Sequence, residues 1–224
     1  MNYNDGMFPP APGAINAFQK ATSTVIGPDD TMVLQDFPAA IFEGESELGV
    51  ITGRRASNVS EADAMKHVFG YANFVDGSAR GVPAFYQMKS RATYAPFGPY
   101  IVTADEIADP QKLQIRSWTN GVAMQDFNTA DMANSIARSI SWVSSVHPLE
   151  PGTLIGTGTH HAGLNPFQDG DVVEVEIDGL DRLRFKVKDD LKRTWARENR
   201  FQIKDKLPRG ATTPQLTGKY AKES

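Results

Sequence analysis

Three glutamates spaced two apart, in Phe42-Glu43-Gly44-Glu45-Ser46-Glu47-Leu48, are the residues of this sequence best placed to do chemistry. Alternate side chains of an extended strand share a face, roughly 6.5–7 Å apart, so Glu43, Glu45 and Glu47 would form one acidic row. Neighbouring carboxylates repel, and burial raises that cost, so the row suits either open water or a cation. Its flanks, Ala39-Ala40-Ile41-Phe42 and Leu48-Gly49-Val50-Ile51, are apolar and argue for a strand through the core, although a solvated acidic edge has the same spacing. Glu174-Val175-Glu176 shares the spacing, but there Val173, Val175 and Ile177 form a clean apolar face, the pattern of a half-solvated hairpin.

Asp76 adds a further oxygen donor. It closes the apolar run Phe69–Val75 and precedes Gly77-Ser78-Ala79-Arg80, where small residues permit a tight turn near a ligand. Carboxylates in a chain with no Cys and four His suit a hard cation, Mg²⁺, Mn²⁺ or Ca²⁺, completed by water. Lys89, in Gln87-Met88-Lys89-Ser90, is either solvated or, beside such a metal, able to neutralise an enolate or move a proton. Gly156-Thr157-Gly158-Thr159-His160-His161 is either a plain turn or a loop whose N–H groups and hydroxyls meet a ligand. In a strand His160 and His161 would point to opposite faces and chelate poorly, which leaves one of them as an acid/base or carboxylate-binding group. Nucleophile-elbow, P-loop, dinucleotide-binding and zinc-spaced His motifs are absent.

The elements that must position these residues are mainly strands. Residues 1–38 are rich in Pro and Gly and read mostly as loop, with at best a short helix over Ala14–Lys20 and strand character from Thr31. Ser60-x-x-Asp63 caps a short helix, and Asn120-Gly121 joins two strand-length runs within Leu113–Gln125 through a type I′ turn. Met132, Ile136, Ile140 and Val143 predict one long helix over Thr129–Val146, capped by Asn128 or Thr129 and ended by Pro148. Asp171–Val187 reads as a second hairpin turning at Asp178-Gly179. The expected class is α+β, mainly antiparallel or mixed sheet.

Composition bounds the partners. A net charge of −4 hides an asymmetry: Lys186–Ser224 holds eleven Lys and Arg against five Asp and Glu, leaving an acidic body that argues against a polyanionic substrate such as nucleic acid. The dispersed basic tail is expected to pack as an arm across the domain or a dimer mate. No apolar run approaches the roughly 18–20 residues of a membrane span, and Met1–Gly13 lacks the basic and apolar stretches of a secretion signal, so no membrane partner and a cytoplasmic location are expected.

Together these pieces resemble the fumarylacetoacetate hydrolase family from about Phe8 through Lys188. The resemblance rests on Glu45–Gly53, Gly70–Arg80, Lys89-Ser90 with Pro96-Phe97-Gly98-Pro99, Asp126–Met132, Leu149–Thr159 and Gly170–Leu180, in that order and spacing. It implies a mixed β-sandwich roll with a few flanking helices, usually a homodimer; the chain itself is read as an N-terminal segment (1–38), a catalytic domain (39–188) and a basic C-terminal extension (189–224) with no counterpart in the family pattern. It implies Mg²⁺ or Mn²⁺ held by Glu45, Glu47 and Asp76, with Glu43 outside the set, Lys89 as the active-site lysine, and Gln87, Gly158 and Thr159 toward the substrate. Relatives of this type act on 2-oxo and 2,4-dioxo acids.

The departures concern the general base. The family's N-terminal lid usually supplies a His–Glu pair after an Asn-Tyr start; Asn2-Tyr3-Asn4-Asp5-Gly6 echoes that start, but the first histidine is His67. Gly81 replaces an Asp, Arg91 a Phe, and the Asp76–Lys89 interval is short. His160 and His161 are the candidate replacements. Metal-dependent hydrolysis of a C–C bond in a 2,4-dioxo acid is therefore the leading expectation, followed by decarboxylation, isomerisation or hydratase/lyase chemistry on a related 2-oxo acid, then by non-catalytic binding.

Overall fold

A computed structural model describes residues 2–3, 15–206 and 212–221. In chain order its strands are β1 (Val25–Ile26), β2 (Thr31–Val33), β3 (Ile41–Thr52), β4 (Val68–Arg80), β5 (Ala95–Thr103), β6 (Gln114–Thr119), β7 (Val122–Asn128), β8 (Leu154–Gly156), β9 (Val172–Ile177), β10 (Arg182–Lys188), β11 (Thr194–Trp195) and β12 (Gln215–Thr217). The helices are α1 (Glu61–Ala64), α2 (Phe85–Lys89), α3 (Ile136–Val146) and α4 (Arg200–Ile203).

Two five-stranded sheets, ordered β1-β5-β4-β3-β8 and β2-β10-β9-β6-β7, pack together. Both are mixed, because β1 runs parallel to β5 and β2 parallel to β10 while the other pairings are antiparallel. The core between them has two parts. Leu48, Val50 and Tyr71 meet Ile115, Phe127, Ile177 and the inner stripe of α3, Ile136 and Ile140. Ile41, Phe42, Val75 and Ala79 meet Val173, Val175, Leu183, Phe185 and Trp195. Alternate positions of β9 are buried, as its pattern requires, and Glu174 and Glu176 are half-buried on the other face beside Arg182.

Several local expectations meet the structure directly. Ser60 caps α1 by accepting from the Asp63 N–H at 3.2 Å. Asn120 (φ 52°) and Gly121 (φ 77°) take the left-handed angles of a tight hairpin turn between β6 and β7.

Others are corrected. Residues 15–20 form no helix, and Ala14 lies outside the described residues. The long helix begins at Ile136, not Thr129: Asn128 caps only a 3₁₀ turn over Thr129–Asp131, and Ser135 caps α3. Met132, on the shared apolar period, instead bridges Tyr3. Asp76 is not at a strand end. β4 continues through Gly77-Ser78-Ala79-Arg80, because β3 pairs with it along its whole length, and the chain turns at Gly81 (φ 84°).

Beyond Lys188, residues 189–203 pack on this body. Arg193 is fully buried, bidentate to Asp189 (2.9 and 3.0 Å), and it donates to the carbonyls of Leu34, Gln35 and Phe37. The Trp195 indole N–H donates to Ala40 O at 2.9 Å, just before β3.

Candidate metal and oxo-acid site

The β3–β4 pairing builds the site. Its register sets Glu45 directly opposite Asp76 and Glu47 opposite Phe74, so two carboxylates meet across strands and the third follows one side-chain period along β3. One oxygen from each of Glu45, Glu47 and Asp76 lies within 4.8 Å of the others, and all three residues are buried. Three hard oxygen donors converging at that spacing match the donor set of Mg²⁺, Mn²⁺ or Ca²⁺.

Glu43 belongs to the same row but is committed elsewhere. Arg80 donates to it at 3.0 Å, and Arg200 of α4 binds both its oxygens (3.0 and 2.5 Å). Burial alone would push its carboxyl up; the two guanidiniums outweigh that and hold it low.

Ammonium groups flank the remaining carboxylates. Lys89 sits on the inner face of α2, 2 % exposed, with Nζ 2.6 Å from Asp76 Oδ2, 2.6 Å from Ser78 Oγ and 3.0 Å from Glu45. Burial works against its charge, but Glu45 and Asp76 prevail and raise its pKa. Lys20, from the extended N-terminal segment, places Nζ 2.6 Å from Asp76 Oδ1 and also donates to the Lys89 carbonyl. Its pKa is lowered, first by burial and then by the neighbouring Lys89 against the pull of Asp76. That segment is tied to α2 by Ser90, which receives the Ala21 N–H at 3.1 Å and donates to Gln19 O. It lays Phe18 over Phe85 and 5.3 Å from the Lys89 ammonium.

The two β3 ligands are shifted in opposite directions. Glu45 would be raised by burial, but Lys89, Arg80 and His161 hold it well below the usual carboxylate range. Glu47 is pushed well above it by burial and by Asp76 and Glu45, only partly relieved by the Gly158 N–H at 2.9 Å. A divalent cation would supply the positive charge that this carboxyl lacks, so the residues present fit such an ion.

The 156–161 loop runs along this edge. Gly156 on β8 has no room for a side chain, since a Cβ there would lie 2.4 Å from Glu47 Oε2. Gly158, expected to meet substrate, spends its N–H on Glu47. Thr159 is buried; its hydroxyl donates to Ser46 O at 2.7 Å and accepts from Gln125 Nε2 at 2.9 Å. The histidines do not lie in a strand. His161 opens a 3₁₀ turn, is buried, and is close enough to Glu45 to help lower its carboxyl. His160 is half-buried and stacks on Phe127, and its carbonyl accepts from Gln125. Gln87 is exposed on α2 while Lys89 is buried on it, so the helix turns the two apart.

Spacing alone did not single out Lys20, Arg80, Gln125 or Arg200 as site residues. Lys20 and Arg200 lie in segments without periodicity, so only long-range packing reveals them. Tyr3 is a further addition: it is buried edge-on against Phe127 at 5.0 Å, and burial with the nearby Glu47 raises its phenol pKa. Asn4, Asp5 and Gly6 lie outside the described residues.

Residues 3–188 match the family model of the fumarylacetoacetate (FAA) hydrolase C-terminal region. The chain belongs to the fumarylacetoacetate hydrolase family. A mitochondrial oxaloacetate tautomerase of Xenopus laevis is 35 % identical, over 80 % of this chain and 61 % of that protein. A 4-hydroxyphenylacetate degradation bifunctional isomerase/decarboxylase of Salmonella dublin is 40 % identical over 62 % of this chain, which thereby spans only a third (33 %) of that longer protein. Among solved structures, maleylpyruvate hydrolase from Sphingobium sp. SYK-6, in complex with manganese (II) ion and pyruvate, superposes with a TM-score of 0.76 at 34 % identity, over 84 % of this chain and 67 % of that one. Family members thus include a hydrolase, an isomerase/decarboxylase and a tautomerase, and one carries manganese.

Proposed function

We propose that this chain is a divalent-metal-dependent enzyme that hydrolyses a C–C bond in a 2,4-dioxo acid. The observation that carries the reading is the convergence of Glu45, Glu47 and Asp76 oxygens within 4.8 Å beside the buried Lys89 ammonium. Glu45, Glu47 and Asp76 would hold Mg²⁺ or Mn²⁺, which when bound supplies a Lewis acid for the oxo-acid oxygens and for the negative charge of the enolate. The chain's own groups supply the rest. Lys89, fixed by Asp76 and Ser78, cannot swing away and presents its charge where the enolate forms. Arg80 is held by Glu43 and Glu45, which keeps its guanidinium beside the ligand set.

His161, near Glu45, is the proposed base. It takes a proton from water as the water oxygen bonds to the distal carbonyl carbon. The C–C bond then breaks, its electron pair enters the enolate, and protonation of that carbon from Lys89 gives a 2-oxo acid and a carboxylic acid. Phe18, stacked on Phe85, sets an apolar ring 5.3 Å from the Lys89 ammonium.

A second reading, tautomerisation or decarboxylation of a 2-oxo acid, is favoured by the two lysines on Asp76, which can move a proton without any hydrolytic water. A homodimer and a cytoplasmic setting are part of the same proposal. No helix among the described residues is long and apolar enough to cross a membrane.

Product analysis tests the choice. Incubated with Mn²⁺ and acetylpyruvate, the protein is expected to release pyruvate and acetate in equal amounts. Release of CO₂ from oxaloacetate, or a change in its keto–enol ratio, with acetylpyruvate intact would replace hydrolysis by the second reading. Glu47→Gln and Asp76→Asn are expected to abolish Mn²⁺ binding by calorimetry; unchanged binding in both would remove the site.

A further inference from the structure

Chain beyond the family match forms one wall of a groove beside the carboxylates. The groove is open to solvent and offers about 250 Å³ between Met124, Gln125, Asp126 and His160 on one side and Asn199 and Phe201 on the other. The family match ends at residue 188, so Asn199 and Phe201 come from this chain's own C-terminal extension.

Resting on the oxo-acid reading above, we propose that this groove is the distal subsite, with Phe201 as its specificity-determining residue, and that it selects 2,4-dioxo acids with an aromatic or alkyl acyl end lacking a second carboxylate.

The groove lies near the ligand set, on the same 156–161 loop. Gly158 donates to Glu47, and His160 lines the groove two residues later, a reach of about 7 Å in extended chain. Gln125 joins the two from below, donating to Thr159 Oγ1 at 2.9 Å and to His160 O at 2.7 Å. The opposite wall is equally fixed. Arg200 is anchored through its side chain to Glu43 and through its N–H to Leu164 O at 2.8 Å, while Asn199 and Gln202 form a reciprocal capping box. Phe201, between these anchors, is held over the groove although 56 % exposed.

Size and charge define the occupant. The volume is below the roughly 300–1,000 Å³ of pockets for drug-sized ligands and suits a single ring or short chain. Phe201 and Met124 offer apolar surface, and an aromatic ring gains further from edge or offset stacking. Among the described residues, Asp126 is the one acidic side chain lining the groove, and besides His160 no basic side chain lines it to pair with a distal carboxylate. The Lys204 ammonium lies outside the lining, 3.9 Å from the Phe201 ring centroid.

With the full-length, Mn²⁺-loaded protein, pyruvate binding is read by calorimetry and, because the acylpyruvates are turned over, discrimination between benzoylpyruvate and maleylpyruvate is read as the ratio of kcat/KM, alongside Phe201→Ala and Asp126→Lys. Wild type is expected to favour benzoylpyruvate over maleylpyruvate by about tenfold or more in kcat/KM. Phe201→Ala is expected to lower kcat/KM for benzoylpyruvate by about fivefold or more while pyruvate binds as before, and Asp126→Lys to raise kcat/KM for maleylpyruvate selectively. Equal wild-type kcat/KM for the two acylpyruvates, or a Phe201→Ala effect that is nil or shared by pyruvate binding, overturns the subsite. Absence of pyruvate binding to the wild type would instead overturn the oxo-acid reading and the subsite with it.

Discussion

At the scale of single residues, the site is a problem in charge compensation. Both Asp76 oxygens face ammoniums, Lys20 on one and Lys89 on the other. The lysines are not equivalent, because the Lys20 side chain keeps 13 % exposure where Lys89 keeps 2 %. Removing either takes away a cation that contacts a ligand oxygen, so Lys20→Met and Lys89→Met are each expected to bind Mn²⁺ at least as tightly as wild type by calorimetry. Lys89→Met is expected to lose about a hundredfold or more in acetylpyruvate turnover if it serves the enolate directly. A parallel loss of metal affinity would assign it a structural role instead. The acidic row was legible from its spacing and apolar flanks. That Glu43 leaves the row was not, because its partner Arg200 is 157 positions away.

At the scale of elements, β8 is a short strand with one strict requirement. Its Gly156 backbone passes so close to Glu47 that an added methyl would displace the carboxylate or the Phe74 ring. Gly156→Ala is therefore expected to weaken Mn²⁺ binding by about tenfold or more while costing roughly 1–3 kcal/mol of stability, the usual range for overpacking. Calorimetry and urea denaturation read the two effects separately, and unchanged metal affinity would show that Glu47 need not hold its position. The hairpin turn at Asn120-Gly121 is a local matter. Gly121→Val places a β-branched residue at φ 77° and is expected to cost about 1–2 kcal/mol, with metal binding unaffected. The α3 boundary shows how an apolar period misleads: Met132 keeps the helical spacing but bridges Tyr3, and the helix waits for the better cap, Ser135.

For the molecule as a whole, residues 189–203 of the C-terminal extension are part of the body. Arg193 and Asp189 are both fully buried, and the guanidinium satisfies three backbone carbonyls of residues 34–37 while lying 4.6 Å from the Phe42 ring centroid. Arg193→Met leaves Asp189 buried without its partner and is expected to cost about 3–5 kcal/mol, read as a lowered urea midpoint. Adding Asp189→Asn should recover part of that loss, because the stranded charge is removed; no recovery would mean that Arg193 acts through packing alone. A chain ended at residue 188 would lose Trp195 from the core and Arg200 from Glu43, so it is expected to be unstable even though it retains the whole family match.

Local patterns sufficed for the strand-rich class, the Asn120-Gly121 hairpin, the α1 cap, and the resemblance that linked Glu45, Glu47, Asp76 and Lys89. These are short-range statements: side-chain period, turn angles and residue type decide them within a few positions. Tertiary structure alone decided which oxygens converge, because the meeting of Glu45 and Asp76 depends on strand register rather than on either strand's pattern. It also separated His161 from His160, turned Gln87 outward, and brought Lys20 and Arg200 from the two ends of the chain to the same row of carboxylates. Buried charge must be compensated in space, and nothing in that requirement limits how far along the chain the compensating group lies.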